Sequence, residues 1–394
     1  MKGGFSTRAI HGAIVPEVRQ MPASVPIYQT ATWRFEDSEE FAEVLAFERP
    51  GQSYGRGYGN PTVEAFEAVM AELEQTEAAF AFSSGMSAIH AVCLALASEG
   101  DRIVTSRELY GGTYGFFSKI LRRYGISVEE VDSHDLAAVR AALGGAAMFY
   151  VETIANALCT VADIEALAGC CREAGVPCVI DNTFASPWIC NPAVLGFDFV
   201  VHSVTKYIAG HSDVIAGVVC CSAADRARVR DIAINVGGAM QPFDAWLSIR
   251  GLQTLEVRLE RQCRTALALS TWLDAQESVS RVHYPGLPSH PHHERASKLF
   301  RPGYFGGMLA FEFSGGVEEA ATWCEALETG WIGASLGGTH TLVSHPASTT
   351  HRQVPPADRA SRGIADGLIR VSAGLENVED LLEDFAAAFG RSKG

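Results

Sequence analysis

The chain has 394 residues, enough for one large core and a smaller second one. It is 47% hydrophobic and 20% charged, the balance of a folded globular protein rather than a disordered one. Against 46 acidic residues there are only 31 Lys and Arg, a net charge of −15 that disfavours nucleic acid and anionic membrane as partners.

The N-terminus, Met1-Lys2-Gly3-Gly4-Phe5-Ser6-Thr7-Arg8, lacks the apolar core of a signal peptide, and no apolar run reaches the ~18 residues of a membrane span. The expectation is a cytoplasmic protein. Residues 1–55 hold Pro16, Pro22, Pro26 and Pro50 and show no compact pattern, so they are expected to form an extended N-terminal arm packed on another subunit. Residues 56–250 are expected to form a large domain. There Ala78–Phe82, Arg102–Thr105, Ile126–Val128, Ala147–Val151, Val179-Ile180 and Phe199–Val201 read as short apolar strands alternating with helical patterns. Such strands imply an α/β fold with a mostly parallel sheet covered by helices on both faces. A single long helix is expected over about 244–275, with Leu247, Leu252, Leu255, Leu259, Leu267 and Leu269, leading into a C-terminal α+β domain over 251–394 with strands at Met308–Phe313 and Leu368–Ser372.

Two residues stand out at strand ends. Asp181 ends the run Val176-Pro177-Cys178-Val179-Ile180, and Lys206 follows Phe197–Val201 within Ser203-Val204-Thr205-Lys206-Tyr207. Ammonium groups are rarely buried without a partner. On these two residues alone, a structural ion pair and a reactive amine are equally good readings. Ligands of such sheets lie at the carboxyl ends of the strands, so both residues are expected to face one crevice. Ser83-Ser84-Gly85-Met86-Ser87-Ala88 joins a strand to a helix and has the chemistry of a phosphate cradle, although an ordinary turn would look similar. It matches neither the dinucleotide nor the nucleoside-triphosphate glycine pattern. Phosphate cradle, amine and carboxylate together suggest pyridoxal phosphate: its aldehyde requires an amine, its ring nitrogen a carboxylate, and its face an aromatic cover, for which Tyr110 is placed.

The ten cysteines include no C-x-x-C and read as reduced, buried, small apolar residues. Ser289-His290-Pro291-His292-His293 is expected to be a surface turn leading into a helix, and no metal site is expected.

The motifs Tyr28-Gln29-Thr30, Asn60-Pro61-Thr62, Ser84-Gly85-Met86, Leu109-Tyr110-Gly111-Gly112-Thr113 and Asp181-Asn182-Thr183 occur in this order. Ser203-Val204-Thr205-Lys206-Tyr207, Ser335-Leu336-Gly337-Gly338, His345-Pro346-Ala347-Ser348 and Ile369-Arg370-Val371-Ser372 follow them. As a set they closely resemble the cysteine/methionine-metabolism family of pyridoxal phosphate enzymes, over about residues 5–388. That family includes cystathionine γ-synthase, cystathionine γ-lyase, methionine γ-lyase and O-acylhomoserine sulfhydrylases. The resemblance implies an aspartate-aminotransferase-like fold, fold type I. It implies that Lys206 holds the cofactor and moves protons, that Asp181 pairs with the ring nitrogen, and that Tyr110 stacks on the ring. Gly85, Met86, Ser203 and Thr205 would bind the phosphate, with Tyr54 and Arg56 reaching it from a neighbouring subunit of a homotetramer built from dimers. Arg370 would grip the substrate carboxylate, helped by Ser335 and Asn156.

Departures from the family pattern bear on these roles. Tyr54-Gly55-Arg56-Gly57-Tyr58-Gly59-Asn60-Pro61-Thr62 is one residue longer than the usual segment, and Thr153-Ile154 and Asn156-Ala157 stand where proline is usual. Cystathionine enzymes often carry an acidic residue at the position of Ala334; alanine favours a small apolar substrate tail. Methionine γ-lyases often have cysteine at the position of Gly112; the run Tyr-Gly-Gly-Thr-Tyr looks more like sulfhydrylases and cystathionine γ-lyases. The expected reaction is α,γ-elimination on methionine or cystathionine, giving a thiol, 2-oxobutanoate and ammonia. The alternative is γ-replacement on an O-acylhomoserine. The intact set of Lys206, Asp181, Tyr110 and Arg370 argues against a non-catalytic relic.

Overall fold

The computed structural model describes residues 20–349, 352, 359–360 and 363–391. Its first sheet has seven strands: β1 (Ala78–Phe82), β2 (Arg102–Ser106), β3 (Ser127–Val131), β4 (Met148–Glu152), β5 (Cys178–Asp181), β6 (Phe199–Ser203) and β7 (Gly217–Cys221). Their spatial order is β1-β7-β6-β5-β4-β2-β3. The strands from β3 across to β6 pair in parallel, and β7 runs antiparallel to both of its neighbours. Alternate residues feed two separate cores. Phe149, Ile180, Val200 and Val218 pack on one face with Phe66 and Met70 of helix α1 (Pro61–Glu74). Tyr150, Val179, Val201 and Val219 pack on the other with Val92 of helix α2 (Gly85–Leu96). Burial on both faces explains why these strands are apolar throughout rather than alternating. Each such side chain contributes about 1.5–3 kcal/mol on leaving water.

The second sheet has five strands in the order β10-β11-β12-β9-β8: β8 (Val279–His283), β9 (Met308–Phe313), β10 (Trp331-Ile332), β11 (Leu342–Ser344) and β12 (Leu368–Ser372). Its apolar face, with Phe311 and Val371, closes on Leu273, Trp323 and Phe385. A mostly parallel sheet between helices plus a smaller C-terminal sheet is the α/β architecture expected of fold type I.

The single helix expected over 244–275 is two helices, α3 (Pro242–Leu252) and α4 (Leu255–Asp274). The break has a local cause. Gly251 presses so closely on the 208–209 backbone that a Cβ there would lie 2.3 Å from the Ala209 carbonyl oxygen. From α4, the buried Arg258 guanidinium reaches back to the carbonyls of Gly251 (2.7 Å) and Tyr207 (2.8 Å). The carbonyls that end α3 therefore find a partner without the helix continuing.

Residues 1–19 of the expected arm lie outside the described residues. Residues 20–55 are mostly exposed and irregular, with one helix over Ser38–Leu45. All ten cysteines are buried and unpaired. Among the described residues no helix is long and apolar enough to cross a membrane.

Candidate active site

The parallel pairing sets the site. Asp181 is the last residue of β5 and Ser203 the last of the adjacent β6, so both face the carboxyl end of the sheet. Lys206 follows in the turn after β6. Its Nζ donates to Ser335 Oγ at 2.5 Å. The Ser335–Gly338 loop lies directly on the Lys206-Tyr207 backbone: Gly337 has φ +75°, and a Cβ there would be 2.7 Å from Tyr207 N. Burial, reinforced by the Arg370 charge and opposed by Asp181, lowers the Lys206 pKa to about 8.

Arg370 comes from β12 of the second sheet. It donates to the Ser335 carbonyl at 2.9 Å and to Asn156 Oδ1 at 3.4 Å, while its buried Nε has no hydrogen-bond partner among the described residues. Lys206, Ser335, Arg370 and Asn156 are thus brought together from four separate stretches of chain. Asp181 accepts from the Thr183 amide at 2.9 Å and from the Tyr150 hydroxyl at 3.4 Å. Burial pushes its carboxyl pKa up, and the Thr183 hydrogen bonds pull it back. A cation placed against it would favour the carboxylate.

Gly85 and Met86 open α2, capped by Ser84, whose Oγ accepts from the Ser87 amide at 3.1 Å. The turn is wedged tightly. A Cβ on Gly85 would lie 2.9 Å from Ser203 Cβ, and one on Gly217, the strand partner of Ser203, 2.3 Å from the Ser84 carbonyl oxygen. Bare backbone is required here, and it leaves amides at the positive end of a helix beside the Ser203 side chain. Tyr110 heads the short helix Gly111–Gly115 with its ring half exposed. That ring lies over Gly112, where a Cβ would be 2.4 Å from Tyr110 Cε1.

Residues 6–390 match the family described as Cys/Met metabolism PLP-dependent enzymes. The chain belongs to this family. It is 41% identical to the L-methionine gamma-lyase of Fusobacterium nucleatum subsp. polymorphum, over 97% of each chain. It is 40% identical to the O-succinylhomoserine sulfhydrylase of Pseudomonas aeruginosa, over 91% of this chain and 89% of that one. The crystal structure of cystathionine gamma-lyase from Lactobacillus plantarum, complexed with L-serine, superposes with a TM-score of 0.89 at 36% identity, covering 99% of this chain and 100% of that one.

Membership of the Cys/Met metabolism family makes pyridoxal phosphate the cofactor, and the donor set fits it: an amine with a lowered pKa, a half-buried carboxylate on the neighbouring strand and a glycine-bared helix start. Thr205 is a less open contact than the sequence suggests. Its hydroxyl donates to the Ala216 carbonyl (3.2 Å) and accepts the Ala216 amide (3.0 Å), so its proton is already committed. Tyr54 and Arg56 lie elsewhere, in an open groove of about 630 Å³ with Trp33 and Phe41. Arg56 rests 5.9 Å from the Tyr54 ring centroid. Among the described residues no hydrogen bond joins either side chain to Lys206, Asp181 or Arg370. The longer loop is absorbed by Gly57 and Gly59 at φ +85° and +103°, with the Tyr58 amide donating to the Tyr54 carbonyl.

The sequence assigns no site role to Glu152, Tyr150 or Thr183. Thr183 donates its backbone N–H to Asp181 and accepts the Ser203 amide at 2.8 Å on its hydroxyl, tying β5 to the cradle. Position beside Asp181 in the family motif was the available signal. The histidine run does lead into a helix, His293–Leu299, but it is not simply a surface turn. His290 is buried, and His292 Nδ1 accepts the Val161 amide at 3.0 Å, because the run packs against the loop after β4. Among the described residues no group of His, Cys, Asp and Glu is arranged to hold a metal.

Proposed function

We propose that this protein is a lyase that removes the γ-sulfur substituent of methionine or cystathionine, yielding a thiol, 2-oxobutanoate and ammonia. With methionine and water the products are methanethiol, 2-oxobutanoate and ammonia, which balances. The observation that carries the reading is the meeting of Lys206 and Arg370 on Ser335, an amine and a carboxylate grip on one residue.

Pyridoxal phosphate supplies an electron sink for charge developing at the substrate α- and β-carbons. Lys206 would hold it, and the Lys206 Nζ is the base that would take and return protons at the substrate carbons. Asp181 would pair with the ring nitrogen and favour its protonated form. Gly85, Met86 and Ser203 would bind the phosphate, with Thr205 contributing only if its hydroxyl turns from Ala216. Tyr110 would cover the ring, and its hydroxyl would supply a proton to the departing sulfur. Arg370 holds the substrate carboxylate with its planar fork, oriented by Asn156 and Ser335. Tyr54 and Arg56 complete the phosphate site of a second subunit, so the active unit is at least a dimer and the assembly a tetramer of such pairs. The location is cytoplasmic.

Ala334, exposed beside Ser335, supports the small-tailed substrate, since it offers no charge to a distal ammonium. The second reading is γ-replacement on O-acetyl- or O-succinylhomoserine: the Tyr110 ring fills the space in which a side chain at position 112 would stand, which disfavours methionine γ-lyase and suits sulfhydrylases and cystathionine γ-lyases alike. Holoenzyme assayed with methionine, cystathionine and both acylhomoserines, with and without added thiol, decides between them. Release of 2-oxobutanoate from methionine without thiol supports the lyase. Thioether formation with no oxoacid would overturn it. Ala334→Glu should lower turnover of methionine.

A further inference from the structure

Glu152 is the last residue of β4 and the cross-strand partner of Asp181. Its side chain is buried, 6% exposed, and both carboxylate oxygens point at backbone N–H groups of separate loops. Oε1 accepts the Tyr110 amide at 2.5 Å, in the loop after β2. Oε2 accepts the Asn156 amide at 3.4 Å, in the loop after β4. Asn156 in turn meets Arg370. Among the described residues no side chain caps the short helix behind Tyr110.

From this geometry we propose that Glu152 is a positioning residue that holds the Tyr110 loop and the Asn156 loop in register, so that the ring cover and the carboxylate grip are set by one side chain. The inference rests on the reading that Tyr110 and Asn156 line the site. A carboxylate is suited to the task because charge-assisted hydrogen bonds to two N–H groups are short and directional. A glutamine cannot replace it in full, since its amide nitrogen would face one of the two N–H groups and release that loop. The position is electrostatically demanding: burial and the neighbouring Asp181 push the Glu152 pKa up to about 8, and the bonds from Tyr110 and Asn156 work against them. Those two N–H groups favour the carboxylate form, against burial and Asp181.

The test uses holoenzyme of Glu152→Gln, Tyr110→Phe and the double variant, with the best substrate from the assays above. Glu152→Gln is expected to keep its cofactor, to alter the visible circular dichroism of the bound cofactor, and to lose about 100-fold in kcat/KM, as a misplacement of ~1 Å can do. In the double variant the combined loss should be smaller than the product of the two single losses, because Glu152 acts through Tyr110. Unchanged kinetics and dichroism in Glu152→Gln, or losses that multiply in full, would overturn the inference. So would a Glu152→Gln protein that does not fold, which would mark the residue as part of the core. If Tyr110→Phe itself has no effect, the fault lies with the reading of the site instead.

Discussion

Lys206 donates from Nζ to the hydroxyl of Ser335 at 2.5 Å, and the same serine accepts Arg370 on its carbonyl. Ser335 holds φ +82°, in the left-handed region that non-glycine residues seldom occupy. The amine of the seven-stranded sheet and the guanidinium of the five-stranded sheet are thereby fixed relative to each other before any substrate arrives. Strain at such a point is tolerated where the surroundings over-determine it.

Arg370→Lys keeps a charge but loses the fork that spans Ser335 and Asn156. The KM for the amino-acid substrate should rise about 10- to 100-fold, the range of one or two charge-assisted hydrogen bonds, with a smaller change in kcat. Initial-rate kinetics across substrate concentration read the split directly.

The lowered Lys206 pKa predicts how apo-protein takes up its cofactor. The neutral amine is the reactive form, so the rate should rise with pH through a midpoint near 8. Burial is the largest cause of the lowering and the Arg370 charge the next, while Asp181 opposes them. Arg370→Gln removes a lowering influence and should move the midpoint up; Asp181→Asn removes a raising one and should move it down. Absorbance stopped-flow at a series of pH values measures both.

Arg258→Ala tests the support behind Lys206. The guanidinium is 4% exposed and donates to the carbonyls of Tyr207, Ile208 and Gly251. Its loss takes the guanidinium from the Tyr207 and Ile208 carbonyls, while the Gly251 carbonyl keeps the Thr254 amide at 3.1 Å, and should cost about 3 kcal/mol, seen as a lower denaturant midpoint. Activity should fall as well, because Tyr207 directly follows Lys206.

Much of this was legible in the chain itself where burial leaves a simple mark. β1, β9 and β12 begin and end where their apolar runs do, at Ala78–Phe82, Met308–Phe313 and Leu368–Ser372. β3 runs past its apolar signal because its later residues, Glu129 and Glu130, lie exposed at the sheet edge. β7 is as apolar as its neighbours, but an apolar run does not show strand direction, and its antiparallel placement between β6 and β1 is a property of the whole sheet. The break at residues 253–254 depends on contact between Gly251 and the 208–209 backbone, which helical periodicity does not encode. Glu152 was hidden for the same reason: a glutamate ending a strand says nothing about which distant amides it will accept.

The most direct test of the account is to reduce the holoenzyme with borohydride, digest it, and locate the pyridoxyl mass by peptide sequencing. The account predicts the label on Lys206, with a Lys206→Ala protein unlabelled and unable to release 2-oxobutanoate. Label on Lys2, Lys119, Lys298 or Lys393 instead, or a Lys206→Ala protein that still turns over substrate, would contradict it.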